Sequence, residues 1–215
     1  MGRVLPILFN TDMVRAILDG RKTVTRRVIK PRPQGCFEVF EEPLYIYDTD
    51  FRQGKILPPF RPGDILYVRE TWCMNYYHKY GKYFYRADGE EIEIPTICGK
   101  QAIFGKAEGL KWRPSIHMPK AAARIWLKVT DVRVERLQDI AEEQAIAEGT
   151  PYDLCGGWKP TFYDPDSGGP DPDFIRGFSV LWNSTIKKSD IGLYGWDSNP
   201  WVWAIEFERC EKQDK

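Results

Sequence analysis

The last apolar segment of the chain restricts the possible folds more than any other stretch. Trp201, Trp203 and Ile205 occupy alternate positions, with Val202 and Ala204 between them. Because successive side chains of a strand point to opposite faces, both faces of this strand are apolar. A strand of this kind has to be covered on both sides, so we predict that it lies in the middle of a sheet.

Helical and extended patterns are mixed along the rest of the chain, and the mixture predicts an α+β fold. Turn residues and the loss of periodicity predict loops at 34–62, apart from one short hairpin, at 87–111 and at 150–172. The predicted strands are 4–9, 37–40, 44–47, 65–69 and 125–134, and the predicted helices are 11–19, 140–148 and, capped by Asp173, 173–184.

The long strand at 125–134 changes the parity of its apolar residues. Leu127 and Val129 stand at odd positions, whereas Val132 and Val134 stand at even positions. A change of parity within one strand predicts a β-bulge or a strong bend. A long, bent strand is typical of a small β-barrel.

Two of the predicted helices have recognisable ends. Thr11 is the predicted N-cap of the first helix, and Gly20 is the residue predicted to end it. Asp139 and Glu142 have the spacing of a capping box at the start of the second helix, and Gly149 is predicted to close it.

A basic segment follows the first helix: residues 20–27 read Gly-Arg-Lys-Thr-Val-Thr-Arg-Arg, with four cations and two hydroxyls. If the segment is extended, its alternation places Lys22 and Arg26 on one side. If it bends after the helix, Lys22 and Thr25 converge on one pocket instead. We interpret the segment as the active or binding site, and a solvated basic turn is the alternative.

The composition excludes disordered and membrane-spanning classes of protein. Apolar residues make up 42% of the chain and charged residues 29%, which is typical of a globular domain. No apolar run approaches the roughly 18 residues that span a bilayer. The beginning of the chain also lacks the apolar region of a signal peptide. We therefore predict a cytoplasmic protein with no membrane partner.

The five cysteines are scattered, form no Cys-x-x-Cys pair, and are accompanied by only two histidines. This pattern favours reduced thiols over a disulfide framework or a zinc ribbon. Transition metals bind through clustered cysteines and histidines. We therefore predict neither a metal site nor a cofactor.

The net charge of the whole chain is zero, but basic and acidic residues are unevenly distributed along the sequence. Residues 1–33 contain eight Lys or Arg against two Asp, and residues 111–136 contain seven against two acidic residues. Residues 137–175 contain nine Asp or Glu against one Lys. If the two basic segments meet, they form a surface that faces a polyanion.

The segment at 111–120 is a candidate second wall of a pocket. It carries Trp112, Arg113, Ser115 and His117 together with two prolines, which fix the backbone before the next strand. A rigid polar loop of this kind commonly carries binding residues.

Several short blocks occur in the order found in a known family. They are the Gly-x-Lys-x-x-Thr-x-Arg core at 20–27, Pro-Gly-Asp at 62–64 before a strand ending in Arg-Glu-Thr-Trp at 69–72, Leu-Gln-Asp-Ile at 137–140, Glu-Gly at 148–149, and the last strand at 203–207. Together they resemble the ASCH domain from about residue 3 to about residue 209. The Pro-Ser-Ile-His-Met-Pro loop and the Asp-Ser-Asn-Pro-Trp run are similar to the longer phage and prophage branch of that family.

The resemblance implies a PUA-like fold, which is a mixed β-barrel flanked by short helices. It implies a single domain over residues 1–215, with insertions at about 34–60, 73–111 and 150–172. The superfamily handles RNA and modified bases, so the implied partner is a nucleoside or RNA. Within it, small bacterial N4-acetylcytidine amidohydrolases remove an acyl group from the exocyclic nitrogen of cytidine.

The resemblance also implies the site residues. The catalytic lysine, threonine and glutamate of those enzymes correspond to Lys22, Thr25 and Glu148, with Glu143 and Glu70 as rivals for the glutamate. The predicted substrate-binding residues are Arg21, Arg26, Arg27, Glu70, Trp112, Arg113, Ser115 and His117.

Two chemistries fit these residue types. In the first, Thr25 attacks the acyl group after a neutral Lys22 has deprotonated it, since burial and neighbouring cations lower the pKa of a lysine. In the second, Glu148 activates a water molecule and Thr25 only positions the substrate. The sequence leaves both open.

Other functions compete with the hydrolase. One is a non-catalytic RNA-binding module or a ribonuclease, whose basic face would hold phosphates in a salt-dependent way. Another is a phage accessory protein whose insertions contact a host protein.

Overall fold

The structure is a computed structural model, and it describes residues 2–30, 37–48, 54–75, 82–89, 91–94, 103–106, 111–156 and 172–212. Its helices are α1 (Thr11–Leu18), α2 (Glu142–Ala147), α3 (Phe174–Thr185) and α4 (Ile191–Tyr194). Its strands are β1 (Val4–Leu8), β2 (Val24–Val28), β3 (Phe37–Glu41), β4 (Leu44–Asp48), β5 (Lys55–Ile56), β6 (Ile65–Arg69), β7 (Trp72–Asn75), β8 (Lys82–Tyr85), β9 (Glu91–Ile94), β10 (Ile103–Lys106), β11 (Trp126–Arg136) and β12 (Trp201–Cys210).

The chain divides into two compact units, and each is formed by separate stretches of sequence. The first unit comprises Met1–Gly20, Gly63–Lys128 and Arg209–Lys215. The second unit comprises Arg21–Pro62 and Val129–Glu208. The single domain with insertions stays a prediction, and most of the predicted insertion at 150–172 lies outside the described residues.

A mixed five-stranded sheet is the main β structure, with the strand order β1-β6-β11-β12-β2. In the first unit β1 runs parallel to β6, and β6 runs antiparallel to the first three residues of β11. In the second unit β12 runs antiparallel to β2, with Ile205 opposite Thr25. The fold class is therefore α+β, and the strands that the structure describes form no closed barrel.

The central position of the last strand is confirmed. β12 lies between β11 and β2, and Val202, Ala204 and Ile205 are completely buried. Trp203 is buried as well. Both faces of the strand are covered, as its apolar pattern requires.

The burial of β11 follows the predicted change of parity. Leu127 and Val129 are buried at odd positions and Val132 at an even position, with the exposed Thr130 and the half-buried Asp131 between them. Along β11, the buried alternation therefore changes from odd-numbered residues at Leu127 and Val129 to an even-numbered residue at Val132.

The ends of the first helix were predicted with one error. Asn10 is the N-cap of α1, because its Oδ1 accepts a hydrogen bond of 2.8 Å from the backbone N–H of Met13. Thr11, the predicted cap, is already the first helical residue. Gly20 has a φ of 76°, which is the left-handed conformation predicted for the residue that ends the helix.

The predicted capping box of α2 is wrong. Residues Leu137–Asp139 form a 3₁₀ turn, and Ala141 is the N-cap with no side-chain hydrogen bond. Asp139 therefore lies too far from the helix to cap it. Gly149 does follow the helix in a left-handed conformation, with a φ of 76°.

The predicted loop at 87–111 was also wrong in part, because β9 and β10 pair there as an antiparallel hairpin. The Glu-Ile-Glu-Ile alternation at 91–94 was the available signal. By contrast, the predicted hairpin of β3 and β4 is confirmed. Within the described helices, none is long and apolar enough to cross a membrane.

The last long helix begins and packs as predicted. The Asp173 side chain accepts a hydrogen bond of 2.8 Å from the backbone N–H of Arg176 and caps α3. The apolar residues Phe174, Phe178, Leu181 and Trp182, which share one side of the helix, are all buried.

We predict that Ile205→Ala lowers the free energy of unfolding by about 2–5 kcal/mol, because it opens a cavity in a fully buried strand. The matched control is Ile191→Ala, since Ile191 is 43% exposed on α4. Surface substitutions of that kind change stability by about 0.5 kcal/mol or less. Urea unfolding of both variants checks the prediction, and equal losses would contradict the central position of β12.

Candidate functional site

The backbone brings Lys22 to the end of α2. Gly149, in its left-handed conformation, turns the chain after α2, and the N–H of Thr23 donates to the carbonyl of Ala147 at 2.9 Å. Lys22 and Glu148 face each other as an isolated antiparallel bridge. Both residues belong to the second unit.

The Lys22 ammonium is enclosed by three acceptors. Nζ donates to the Val24 carbonyl at 2.8 Å, to the Glu148 carbonyl at 2.8 Å and to Glu148 Oε2 at 2.7 Å. The Lys22 side chain is 0% exposed and that of Glu148 is 4% exposed. An ammonium has three N–H donors, so the surroundings match the protonated form of Lys22.

Arg26 completes a buried network around the same carboxylate. Its Nη1 lies 3.4 Å from Glu148 Oε1, and its Nη2 donates to Glu135 Oε2 at 2.9 Å and to Gln144 Oε1. Its Nε is buried and finds no acceptor among the described residues. We call Lys22, Glu148, Arg26, Glu135 and Gln144 the buried charge network.

The surroundings of Lys22 change the acidity of its ammonium group. Burial lowers the pKa of the Lys22 ammonium below its usual value, the Glu148 carboxylate opposes that shift, and Arg27 and Arg26 add to it. Burial likewise lowers the pKa of the Arg27 guanidinium, and Glu148 opposes the change. The ammonium is therefore a better proton donor than an exposed lysine.

Thr25 occupies a different position from Lys22. It is buried on β2, and its neighbours Val24 and Arg26 point to the opposite face of that strand. Lys22 and Arg26 both contact Glu148, as the extended alternation of the basic segment predicted. The Thr25 hydroxyl is not among the three acceptors around Nζ.

Of the three candidate glutamates, Glu148 is the one that bonds Lys22. Glu143 is exposed in the first turn of α2. Glu70 is buried in the first unit, where Arg124 holds both its oxygens, with Nε at 2.9 Å from Oε1 and Nη2 at 3.0 Å from Oε2. Arg124 also donates to Asp88 at 2.6 Å.

The remaining predicted binding residues are divided between the units. Arg21 is exposed in the second unit. The first unit contains Trp112, Arg113, Ser115 and His117, and the guanidinium carbon of Arg113 lies 5.3 Å from the centre of the Trp72 ring. That these four residues form one pocket with Lys22 stays a prediction.

Glu135 and Gln144 are functional candidates that sequence reasoning missed. Gln144 lies four residues before Glu148, so a helical spacing already placed both on one side of α2. Glu135 lies near the end of β11, where nothing in the sequence distinguishes it from the neighbouring charged residues.

A basic cavity of about 230 Å³ lies beside the network in the second unit. Arg26 belongs to both features, whereas Lys22 and Glu148 do not line the cavity. Its walls come from β2, from the end of α3 and from the segment that follows. The charged and aromatic residues that line it are Arg26, Arg27, Lys30, Lys187, Asp190, Trp182 and Tyr194.

A larger cavity of about 690 Å³ lies between β11 and the β3–β4 hairpin. Its lining has two arginines, Arg61 and Arg133, against the three carboxylates of Glu41, Glu42 and Asp131. The lining of the smaller cavity, with four cations and one carboxylate, is therefore the more basic of the two. In the described part of the chain, no three His, Cys, Asp or Glu side chains are grouped as a metal site requires.

No protein-family model, curated protein or solved structure matches this chain. The likeness to the ASCH domain therefore stays a prediction from the short blocks of sequence.

We predict that Lys22→Met lowers the free energy of unfolding by about 3–5 kcal/mol, because it leaves Glu148 buried without its closest cation. The double variant Lys22→Met/Glu148→Leu should lose less than the sum of the two single variants, since it removes both charges. Urea unfolding measures this cycle. Lys188→Met, at an exposed lysine, is the control and should change stability by about 0.5 kcal/mol or less. Strict additivity would show that Lys22 and Glu148 are not coupled.

Glu70 predicts a pH dependence of stability. Burial raises the pKa of its carboxyl, Arg124 opposes the shift, and Asp88 adds to it. The folded protein thus keeps this proton to higher pH than the unfolded chain, so stability from Glu70 is present below about pH 4.3 and is lost as the pH rises through the folded pKa. The unfolding free energy of the wild type minus that of Glu70→Gln should therefore fall from about pH 4 upward. A difference that rises with pH would mean that the pairing with Arg124 outweighs burial.

Proposed function

We propose that this chain is an ASCH-like protein that acts on nucleic acid or modified nucleosides, and most concretely an amidohydrolase that removes an acyl group from N4 of cytidine-type bases. The observation that supports this function is the 2.7 Å hydrogen bond between Lys22 and Glu148, which are 126 residues apart in sequence. The resemblance implies Lys22 as the catalytic lysine and Glu148 as the glutamate, with Glu143 and Glu70 as rivals for the glutamate. The mixed five-stranded sheet supports the PUA-like fold as part of the same proposal.

The surroundings of Lys22 favour one of the two chemistries. A lysine that acts as the base has to be neutral, with a lone pair toward the nucleophile. The three N–H donors of Lys22 are all directed at acceptors, which favours the ammonium. Glu148 retains acceptor capacity beyond its two cations, because each carboxylate oxygen has two lone pairs. The proposed base is therefore Glu148, with Lys22 as the acid.

The proposed reaction is a balanced hydrolysis. Water adds to the acyl carbon as its proton passes to Glu148, and the tetrahedral intermediate then collapses. The C–N bond breaks, and the departing N4 takes a proton from the Lys22 ammonium. Glu148 returns its proton to Lys22 across their hydrogen bond. The products are a carboxylic acid and the free amine of the cytosine.

The burial of Lys22 and Glu148 restricts how a substrate can reach them. Lys22 is fully buried and Glu148 is nearly so, and neither lines the basic cavity. The acyl group therefore has to displace neighbouring side chains before its carbonyl carbon reaches Glu148. In this proposal Arg26, which bonds Glu148 and lines the cavity, is the side chain through which ligand binding opens the network.

The same burial favours a second candidate, a module that binds RNA without chemistry. In that case the charge network only fixes Arg26 at the wall of the basic cavity. The affinity for RNA would then fall steeply with salt, whereas cleavage of a free nucleoside would not.

We predict that the protein releases cytidine from a panel of N4-acylcytidines and that Glu148→Gln lowers kcat/KM by at least about 100-fold, as expected for loss of a general base. Chromatography of the reaction measures the rate. The matched control is Glu143→Gln on the exposed side of α2, which should keep the wild-type rate. Thermal unfolding of each variant separates loss of chemistry from loss of fold.

Two further variants test the roles. Thr25→Val should keep the wild-type rate, because Thr25 lies on the face of β2 opposite Arg26 and takes no part in the proposed reaction. Loss of activity in Thr25→Val but not in Thr25→Ser would favour attack by the Thr25 hydroxyl instead. No turnover on the panel, together with salt-sensitive RNA binding, would replace the hydrolase by the binding module. Equal losses for Glu143→Gln and Glu148→Gln would remove Glu148 from the catalytic role.

A further inference from the structure

The basic cavity carries cations that do not belong to the buried charge network. Arg27 and Lys30 come from β2 and the residues after it, and Lys187 comes from the segment after α3. Asp190 is the carboxylate among the lining residues, and it accepts a hydrogen bond of 2.8 Å from Ser189. In the described part of the chain, neither Lys30 nor Lys187 makes an ion pair.

The two lysines approach the cavity from separate elements and are both exposed. Arg26 adds little net charge, because its two Nη atoms already contact carboxylates. Arg27 is half-buried and lines the same wall. Three cations around one concavity with one carboxylate attract a multiply charged anion.

Aromatic side chains form the rest of the wall. The Lys30 Nζ lies 4.9 Å from the centre of the Tyr194 ring, and Trp182 is fixed by a hydrogen bond of 2.8 Å from its Nε1 to the Tyr194 carbonyl. Tyr194 is half-buried, so part of its ring remains accessible. Aromatic rings beside cations are the combination that holds a base and its phosphate.

The size and the donors favour a phosphate over a larger ligand. The cavity of about 230 Å³ is smaller than the roughly 300–1,000 Å³ of sites for drug-sized molecules. A guanidinium binds two phosphate oxygens with its parallel N–H groups, and lysines bind phosphate as point charges. A phosphate monoester carries a charge of about −1.5 to −2 at neutral pH, which suits three cations.

We propose that this cavity binds the phosphate group of a nucleotide, either free or within an RNA strand, with Arg27, Lys30 and Lys187 as its ligands. The inference rests on the proposed function, since it adds a phosphate site beside the buried charge network. It implies that the protein prefers phosphorylated substrates to free nucleosides.

The test is calorimetric titration of the full chain with cytidine 5′-monophosphate, with cytidine, and with a short single-stranded oligocytidylate. The monophosphate or the oligonucleotide should bind at least about tenfold more tightly than cytidine, because charge-assisted hydrogen bonds to phosphate are among the strong ones. Tighter binding of the oligonucleotide indicates a strand as the source of the phosphate, and equal binding indicates a free nucleotide.

The variants are Lys187→Gln and Lys30→Gln, and Lys188→Gln is the matched control because Lys188 is exposed, adjacent, and absent from the cavity wall. Each cavity variant should weaken binding of the phosphorylated ligand by about tenfold. It should also reduce the slope of log affinity against log salt concentration by about one, as expected for the loss of one phosphate contact. Neither should change the affinity for cytidine, and Lys188→Gln should behave as the wild type.

Equal affinities for cytidine, its monophosphate and the oligonucleotide would overturn the phosphate site, as would equal losses for Lys187→Gln and Lys188→Gln. In those cases a protein that still cleaves acylcytidines or binds RNA keeps its proposed function. Conversely, phosphate binding at Lys187 without turnover on the acylcytidine panel would support the phosphate site and count against the hydrolase.

Discussion

The second unit of this protein depends on the burial of one ammonium group. Removing a lysine from water costs several kcal/mol unless acceptors surround it. The acceptors are the Glu148 carboxylate and the carbonyls of Val24 and Glu148, all within 2.8 Å of Nζ. Because two of the three come from the end of α2, Lys22 fixes the start of β2 against the end of that helix. If either Lys22 or Glu148 is replaced by an uncharged residue, the other remains as a buried charge without its closest partner.

The Glu148 carboxylate also connects the buried Lys22 ammonium to the wall of the basic cavity. Glu148 contacts Arg26, which is held further by Glu135 and Gln144, and Arg26 lines the basic cavity. A ligand that shifts Arg26 therefore acts directly on the Lys22–Glu148 pair. Burial makes the lysine a better acid, and exposure would reverse that effect. Under the proposed function, ligand binding and chemistry would thus be coupled through the Arg26 side chain.

Elements with a strong local pattern were predictable. The two-sided apolar pattern of β12 required a central strand, and Gly20 and Gly149 ended their helices in the left-handed conformation that glycine favours. One error arose where two possible caps stand next to each other. Asn10 and Thr11 are both good caps, and only the path of the chain entering α1 makes Asn10 the one whose oxygen faces the Met13 N–H. Asp139 has the spacing of a cap, but the 3₁₀ turn at Leu137–Asp139 moves it away from the helix.

The sequence by itself determined the apolar pattern of the strands and helices, the stops between them, and the basic segment that contains Lys22. These properties depend on neighbours along the chain, and periodicity records them directly. Only the tertiary structure decided which glutamate meets Lys22, that Thr25 lies on the other face of β2, and that Lys30 and Lys187 line one cavity. Such pairings join residues more than 100 positions apart, as in the separation of 126 between Lys22 and Glu148. These contacts form because buried charged groups have to be paired after the strands have assembled. A local pattern of residues does not specify which distant residue becomes the partner.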